Sequence, residues 1–113
     1  MKILIVENDP GMRRLVAAVL APLSPEIIEC DDGADALATY RAQSPDVVLM
    51  DIAMPGLDGI SATAVLTAAH PGARVVMVTN YDDVDLREAA AAAGACGYVL
   101  KEDLRPLLSL LAR

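Results

Sequence analysis

Short runs of aliphatic and β-branched residues alternate with longer segments rich in Ala and Leu along this 113-residue chain. The runs predict strands near residues 2–6, 26–30, 46–50, 73–78 and 96–100. Most of the runs are almost continuously hydrophobic, which is typical of strands that are covered on both faces of a parallel sheet. The second run contains two glutamates and therefore predicts a strand at the edge of the sheet.

The segments between the runs predict five helices, at about 10–21, 33–43, 59–69, 83–93 and 103–112. Asp9 before Pro10 predicts the N-cap and the first residue of the first helix, and Gly94 is expected just after the fourth helix. The alternation favours an α/β protein of (βα)₅ type, a five-stranded parallel sheet with helices on both faces. Right-handed crossovers make 2-1-3-4-5 the expected strand order, with its switch point between strands 1 and 3.

Composition narrows the functional classes. A net charge of −7 argues against nonspecific binding to nucleic acid, which requires a basic face. No apolar stretch approaches the length of a membrane span, and no signal peptide is expected. Cys30 and Cys96 fall in predicted strands, so we expect two small buried residues in a reduced, cytoplasmic protein, without a metal or redox role.

Polar residues follow four of the predicted strands. Glu7 and Asn8 come after the first strand, Asp51 after the third, Thr79 after the fourth and Lys101 after the fifth. Parallel strands bring their carboxyl ends to one edge of the sheet, where such folds bind ligands. Taken singly, a strand-end aspartate is usually a cap and a lysine is usually a solvated charge. Their joint placement favours a metal-assisted phosphate site in which a carboxylate binds Mg²⁺ or attacks phosphorus.

The residues at these positions form recognisable motifs. Residues 3–7 read Ile-Leu-Ile-Val-Glu, residues 51–59 read Asp-Ile-Ala-Met-Pro-Gly-Leu-Asp-Gly, and residues 97–101 read Gly-Tyr-Val-Leu-Lys. With Val78-Thr79 between them, the whole chain resembles the receiver domain of two-component response regulators. The resemblance implies a flavodoxin-like fold and transfer of a phosphoryl group from a histidine kinase to an aspartate. It also implies a single receiver domain over residues 1–113, similar to receivers that precede a helix-turn-helix output domain and regulate transcription.

By this resemblance Asp51 is the phosphoacceptor and Mg²⁺ is the cofactor. Glu7 would bind Mg²⁺ through water, and the backbone carbonyl of Ala53 would be a further ligand. Asn8 takes the position of the acid that is the direct ligand in typical receivers, so one negative charge is lost and Mg²⁺ should bind more weakly. Asp9 could compensate, although its position before Pro10 favours the N-cap.

The resemblance also assigns residues around the phosphoryl group. Lys101 would contact that group, and Thr79 with Tyr98 would form the switch, the hydroxyl moving toward phosphate and the ring turning inward. The alternative for Tyr98 is a half-buried aromatic residue whose hydroxyl lies in water. Asn80 and Tyr81 would flank the site and influence the lifetime of the phosphoryl group.

The residues of this chain bear on three possible functions. The first is a phosphorylation switch that changes the face of helix 4, strand 5 and helix 5, with self-phosphorylation and self-dephosphorylation as its only chemistry. Predicted helix 5 carries more leucines than one buried stripe needs, which suggests a homodimer, a partner or an output domain; these are Leu104, Leu107, Leu108, Leu110 and Leu111. The second is a receiver-like binding or dimerisation module with weak or no phosphorylation, because of Asn8. A phosphohydrolase is excluded, because Ala53 stands where a second aspartate is required.

Overall fold

Five parallel strands form one sheet in the order β2-β1-β3-β4-β5 in the computed structural model, which describes residues 1–112. The strands are β1 (Lys2–Val6), β2 (Glu26–Cys30), β3 (Val47–Met50), β4 (Val75–Thr79) and β5 (Gly97–Leu100). The predicted order is confirmed, and so is the position of the polar second strand at an edge. Thr79 is the last residue of β4 rather than the first residue after it.

Five helices connect and follow the strands: α1 (Pro10–Leu20), α2 (Ala36–Gln43), α3 (Gly59–Ala69), α4 (Val84–Ala92) and α5 (Pro106–Leu111). Short 3₁₀ turns extend α1 at its end and precede α2. The last helix begins three residues later than predicted. Asp103 accepts hydrogen bonds from the backbone N–H of Arg105, at 3.2 Å, and from its guanidinium, which makes a turn instead of a first helical turn.

Two helix ends are as predicted. Asp9 is the N-cap of α1, and its carboxylate accepts a hydrogen bond from the backbone N–H of Gly11 at 2.9 Å. Gly94 lies just beyond α4 with a φ of 106°, in the left-handed region that favours glycine. Both ends are specified by the residues beside them, which is why the sequence was sufficient to locate them.

The core consists of two layers, one on each face of the sheet. On one face, Leu4 and Val6 of β1 belong to a layer that includes buried residues of α2, α3 and α4. On the other, Ile3 and Ile5 belong to a layer that includes buried residues of α1 and α5. This alternation along β1 explains why the strand reads as continuously hydrophobic: both of its faces are buried.

One expectation about buried residues is wrong. Cys96 lies just before β5 and is exposed, whereas Cys30 is buried as predicted. Of the five leucines near helix 5, Leu104, Leu107 and Leu111 are buried, whereas Leu108 and Leu110 are half-buried. A partner that covers this helix stays a prediction. Among residues 1–112, no helix has the length and apolar character needed to cross a membrane.

Candidate functional site

Glu7, Asp51 and Lys101 meet at the carboxyl edge of the sheet. Val6 lies opposite Met50 in the β1–β3 pair, so the residues that follow them, Glu7 and Asp51, leave the sheet side by side. Lys101 reaches them from the end of β5. Its Nζ donates a hydrogen bond to Glu7 Oε1 at 2.6 Å and lies 3.3 Å from Asp51 Oδ1. Three of the residues predicted to share this edge are therefore in contact.

The two carboxylates are buried, with 4% of Glu7 and 5% of Asp51 exposed. Burial, followed by the hydrogen bond and charge of Glu7, raises the pKa of Asp51 to about 6, and the ion pair with Lys101 only partly opposes this. Although burial works against the charged lysine, the hydrogen bond from Lys101 to Glu7 and the charge of Asp51 raise the pKa of Lys101. The site therefore places one lysine ammonium against two acidic side chains, those of Glu7 and Asp51.

One oxygen of this cluster has no partner. Glu7 Oε2 is buried and makes no hydrogen bond among residues 1–112. An unpaired carboxylate oxygen beside a second carboxylate suits a hard cation such as Mg²⁺, which prefers oxygen ligands. However, no group of three or more His, Cys, Asp or Glu side chains that could hold a metal occurs in the described part of the chain. Within residues 1–112, the acidic side chains that contact Lys101 at this edge are Glu7 and Asp51, and the residue after Glu7 is the neutral Asn8.

The loop after β3 is held against the site by close backbone contact. The N–H of Gly59, the first residue of α3, donates to the carbonyl of Ile52 at 2.9 Å. A Cβ atom at Gly59 would lie 1.8 Å from the backbone oxygen of Asp51, so only glycine fits. Asp58 caps α3 by accepting the backbone N–H of Ser61 at 2.9 Å. Ala53, whose carbonyl was predicted as a metal ligand, is exposed on the loop between these anchors.

The loop after β1 carries Asn8 and Asp9, both exposed. The Asp9 carboxylate is engaged as the helix cap described above, so compensation for Asn8 by this residue is not seen. A further residue, Arg13, was not recognised from the sequence. Its Nη1 donates to the backbone carbonyl of Glu7 at 2.6 Å. The available signal was its position one helical turn after the Asp9 cap, which aims a long cationic side chain back toward the loop.

The two predicted switch residues are joined through the loop after β4. Thr79 is fully buried, and its Oγ1 accepts a hydrogen bond from the N–H of Tyr81 at 3.2 Å. Tyr98 is half-buried, and its hydroxyl donates to the carbonyl of Tyr81 at 2.6 Å in a solvent-exposed position. The Arg87 guanidinium lies 4.4 Å from the centroid of the Tyr98 ring. Asn80, between the two partners, is exposed.

The family is identified by comparison with known proteins. The family model described as the response regulator receiver domain matches residues 3–112. The chain is 33% identical to the chemotaxis protein CheY of Halobacterium salinarum over 105 residues, which cover 93% of this chain and 88% of that protein. It is 34% identical to the response regulator GacA of Pseudomonas syringae pv. syringae over 102 residues, which cover 88% of this chain and 48% of that regulator.

Solved structures agree. The BeF₃-activated N-terminal receiver domain of RstA from Klebsiella pneumoniae superimposes with a TM-score of 0.91 at 30% identity, covering 99% of this chain and 96% of that one. The receiver domain of the putative regulator NarL from Mycobacterium tuberculosis gives 0.88 at 30% identity, with coverages of 98% and 93%. The strand order, the edge at which the charged residues meet and these matches lead to one conclusion. The chain belongs to the response regulator receiver domains of two-component signal transduction.

Proposed function

We propose that this receiver domain is a signalling switch that accepts a phosphoryl group from a histidine kinase on Asp51. The observation that carries the proposal is the arrangement of Asp51 itself. It is a buried carboxylate with the Lys101 ammonium at 3.3 Å, and the unpaired Oε2 of Glu7 belongs to the same cluster. A structural ion pair would not require a second, partly unsatisfied carboxylate at the same place.

In the proposed transfer, a carboxylate oxygen of Asp51 attacks the phosphorus of a phosphohistidine. A P–O bond forms as the P–N bond breaks, and the electron pair of that bond returns to the imidazole, which takes a proton from solvent. The attacking carboxylate must be ionised, and a pKa of about 6 leaves it largely so at neutral pH. Lys101 is positioned to contact a phosphoryl oxygen once the Asp51 carboxylate has become an acyl phosphate.

The proposed cofactor is Mg²⁺. It would be held by the Asp51 carboxylate, the side-chain carbonyl of Asn8, the backbone carbonyl of Ala53 and, through water, Glu7. When bound, Mg²⁺ supplies positive charge that offsets the repulsion between carboxylate and phosphoryl oxygens. Because Asn8 contributes a neutral oxygen in place of a carboxylate, we expect weaker Mg²⁺ binding and slower phosphorylation than in receivers with an acid at this position.

The proposed output runs through the face formed by α4, β5 and α5. Phosphorylation would draw the Thr79 hydroxyl toward phosphate and turn Tyr98 inward, which biases an existing equilibrium of this face. Self-association, a partner or an output domain would read the change. The chain spans 88% of the CheY relative but about half of the GacA relative. A transcriptional output is therefore proposed by analogy with regulators such as GacA.

The proposal treats residues 1–113 as a single receiver domain with a net charge of −7 and no direct contact with nucleic acid or membrane. It places the domain in the cytoplasm, where its two free cysteines remain reduced. Its own chemistry is limited to gaining and losing the phosphoryl group, without turnover of a separate substrate.

Intact mass spectrometry after incubation with acetyl phosphate tests the phosphoacceptor. With Mg²⁺ we expect a gain of about 80 Da, the mass of one phosphoryl group, and we expect no gain in Asp51→Ala or without Mg²⁺. An adduct that persists in Asp51→Ala would assign the acceptor to another residue.

The alternative function rests on Asn8 alone, and the family matches do not favour it. Asn8 supplies a neutral amide where typical receivers have an acid, as would suit a receiver-like binding or dimerisation module that works without phosphate. This candidate predicts no adduct in the wild type at any Mg²⁺ concentration and an adduct in Asn8→Asp, because the substitution restores the missing charge. An adduct of the wild type at moderate Mg²⁺ concentration would exclude it.

A further inference from the structure

Arg13 of α1 joins the ends of two strands. Its Nη1 donates to the backbone carbonyl of Glu7 at 2.6 Å, and its Nε lies 3.4 Å from Glu29 Oε1 on β2. The side chain is 17% exposed. Its Nε is buried and makes no aligned hydrogen bond among residues 1–112, so the contact with Glu29 is an ion pair of poor geometry. The bond to the Glu7 carbonyl is thus the better formed of the two contacts.

The hydrogen bond from Arg13 to the Glu7 carbonyl orients a whole peptide unit. The carbonyl of Glu7 and the N–H and Cα of Asn8 belong to one planar peptide unit. Holding the oxygen therefore holds the plane from which Asn8 departs. On its other side, Asn8 is followed by Asp9, whose carboxylate is bound to the N–H of Gly11. Asn8 is exposed but stands between two anchored units.

Packing alone does not force Arg13 into this position. A cleft of about 450 Å³ opens beside it, lined also by Glu29, Cys30, Asp31 and Thr39. The cleft lies between α1, β2 and α2, away from the carboxylate of Asp51. A guanidinium in such surroundings could turn toward solvent and the neighbouring acids, but instead it bonds to the carbonyl. Truncating the side chain would enlarge an open cleft and would leave no sealed cavity, so the fold should tolerate the change.

We propose that Arg13 is a positioning residue for the phosphorylation site, which holds the Glu7–Asn8 peptide so that the neutral Asn8 oxygen is oriented in advance for a divalent cation. The inference rests on the proposed function. Its physical basis is preorganisation: a neutral ligand interacts weakly with a cation, so a loop that is already ordered lowers the cost of binding. Support from behind the ligands commonly changes metal affinity by a large factor.

The charge of Arg13, taken alone, predicts the opposite change in Mg²⁺ affinity. A positive charge near a cation site repels the cation, so removing it should tighten binding if charge alone matters. Positioning predicts that removal weakens binding. The direction of the change therefore distinguishes the two roles, and Arg14 supplies a matched control. It is the next residue of the same helix, it carries the same charge and it is exposed.

The experiment is a Mg²⁺ titration followed by backbone amide NMR shifts of residues 7–9, without any phosphodonor. In Arg13→Ala we expect the half-saturating Mg²⁺ concentration to rise about 10-fold. We expect no rise in Arg14→Ala. Glu29→Gln removes the ion pair but keeps the carbonyl bond, so its half-saturating concentration should match the wild type. Arg13→Lys retains the charge and one donor and should recover part of the affinity.

Further readouts separate positioning from general stability. Thermal unfolding midpoints identify a variant that is merely less stable, and at saturating Mg²⁺ the yield of the acetyl phosphate adduct in Arg13→Ala should return to the wild-type level. Suppose that Arg13→Ala binds Mg²⁺ as tightly as the wild type or more tightly, while the wild type still forms the adduct. That result would overturn the proposed role of Arg13 and would leave the proposed function standing. Absence of both Mg²⁺-dependent shifts and an adduct in the wild type would overturn the proposed function together with this inference.

Discussion

Lys101 stabilises two carboxylates that would otherwise repel each other in a buried site. Its Nζ lies 2.6 Å from Glu7 Oε1 and 3.3 Å from Asp51 Oδ1, and the side chain is only 10% exposed. One cation cannot neutralise both acids, so part of the cost of burying them remains. That residual cost raises the pKa of Asp51. A further cation bound at this edge would reduce the cost.

The raised pKa of Asp51 predicts a pH-dependent penalty on folding. Between pH 3.8 and about 6 the folded chain binds a proton at Asp51 more tightly than the unfolded chain does, so the free energy of unfolding falls as pH rises through this window. Asp51→Asn removes the charge and the penalty. The stability gained by this variant over the wild type should be larger at pH 8 than at pH 4, by on the order of 2 kcal/mol.

Urea unfolding of the two proteins at both pH values measures this difference without Mg²⁺. Carboxyls that do not interact with Asp51 cancel in the comparison. Asp31→Asn, which changes the same charge on an exposed side chain, controls for net charge. If the free energies of unfolding of the wild type and Asp51→Asn change in parallel with pH, Asp51 has an ordinary pKa in the folded chain.

At the scale of elements, the turn before α2 is packed directly against the loop after β3. Gly33 is buried in this turn, and a Cβ atom there would lie 2.3 Å from the backbone oxygen of Leu57 and 3.2 Å from the Met54 side chain. Together with the contact of Gly59 on Asp51, this packing fixes the loop after β3 from two sides. The loop that would bear the metal-binding carbonyl is therefore positioned by backbone contact between elements.

We expect Gly33→Ala to lower the free energy of unfolding by about 1–3 kcal/mol, because a backbone carbonyl cannot move aside as a side chain can. Gly72→Ala is the matched control, since a Cβ atom at Gly72 meets no described atom within 4 Å. That substitution should be neutral or slightly stabilising, as it restricts the unfolded chain. Chemical denaturation of both variants checks the prediction, and equal stabilities would show that the turn can shift at little cost.

At the scale of the whole molecule, a chain of contacts links the charged edge to the face of α4 and β5. Tyr81 donates its N–H to Thr79 and accepts the hydroxyl of Tyr98, whose ring lies under Arg87. Beyond that ring is a cleft of about 220 Å³ lined by Tyr98, Arg87 and Cys96, among other residues. The exposed thiol of Cys96 is therefore placed where a movement of Tyr98 would change its surroundings.

If phosphorylation turns Tyr98 inward, the cleft loses one wall and Cys96 becomes more reactive. We expect the alkylation rate of Cys96 to rise when acetyl phosphate and Mg²⁺ are both present, because the thiol loses the shielding of the Tyr98 ring. Alkylation of the protein, followed by mass spectrometry with and without acetyl phosphate and Mg²⁺, measures it. Cys30 is buried and serves as an internal reference.

The same measurement on Thr79→Ala tests the route of the coupling. This variant lacks the hydroxyl that accepts the N–H of Tyr81 and that we propose moves toward the phosphoryl group, so its Cys96 should react at one rate in both conditions. An equal increase in the wild type and in Thr79→Ala would place the coupling elsewhere in the molecule.

The sequence by itself determined the fold and the edge at which the site lies. Hydrophobic periodicity and turn residues are local properties, so they located five strands and five helices and led to the strand order. The caps at Asp9 and Gly94 were equally predictable, because each depends on residues adjacent in sequence. The convergence of Glu7, Asp51 and Lys101 followed from the parallel order alone.

Only the tertiary structure decided the contacts between side chains that are distant in sequence. The bond from Arg13 to the Glu7 carbonyl, the hydroxyl of Tyr98 on the Tyr81 carbonyl and the exposure of Cys96 could not be obtained from periodicity. Each depends on rotamers and on the angles at which helices lie on the sheet. Those angles result from packing the two core layers as a whole, and no local segment of the sequence encodes them.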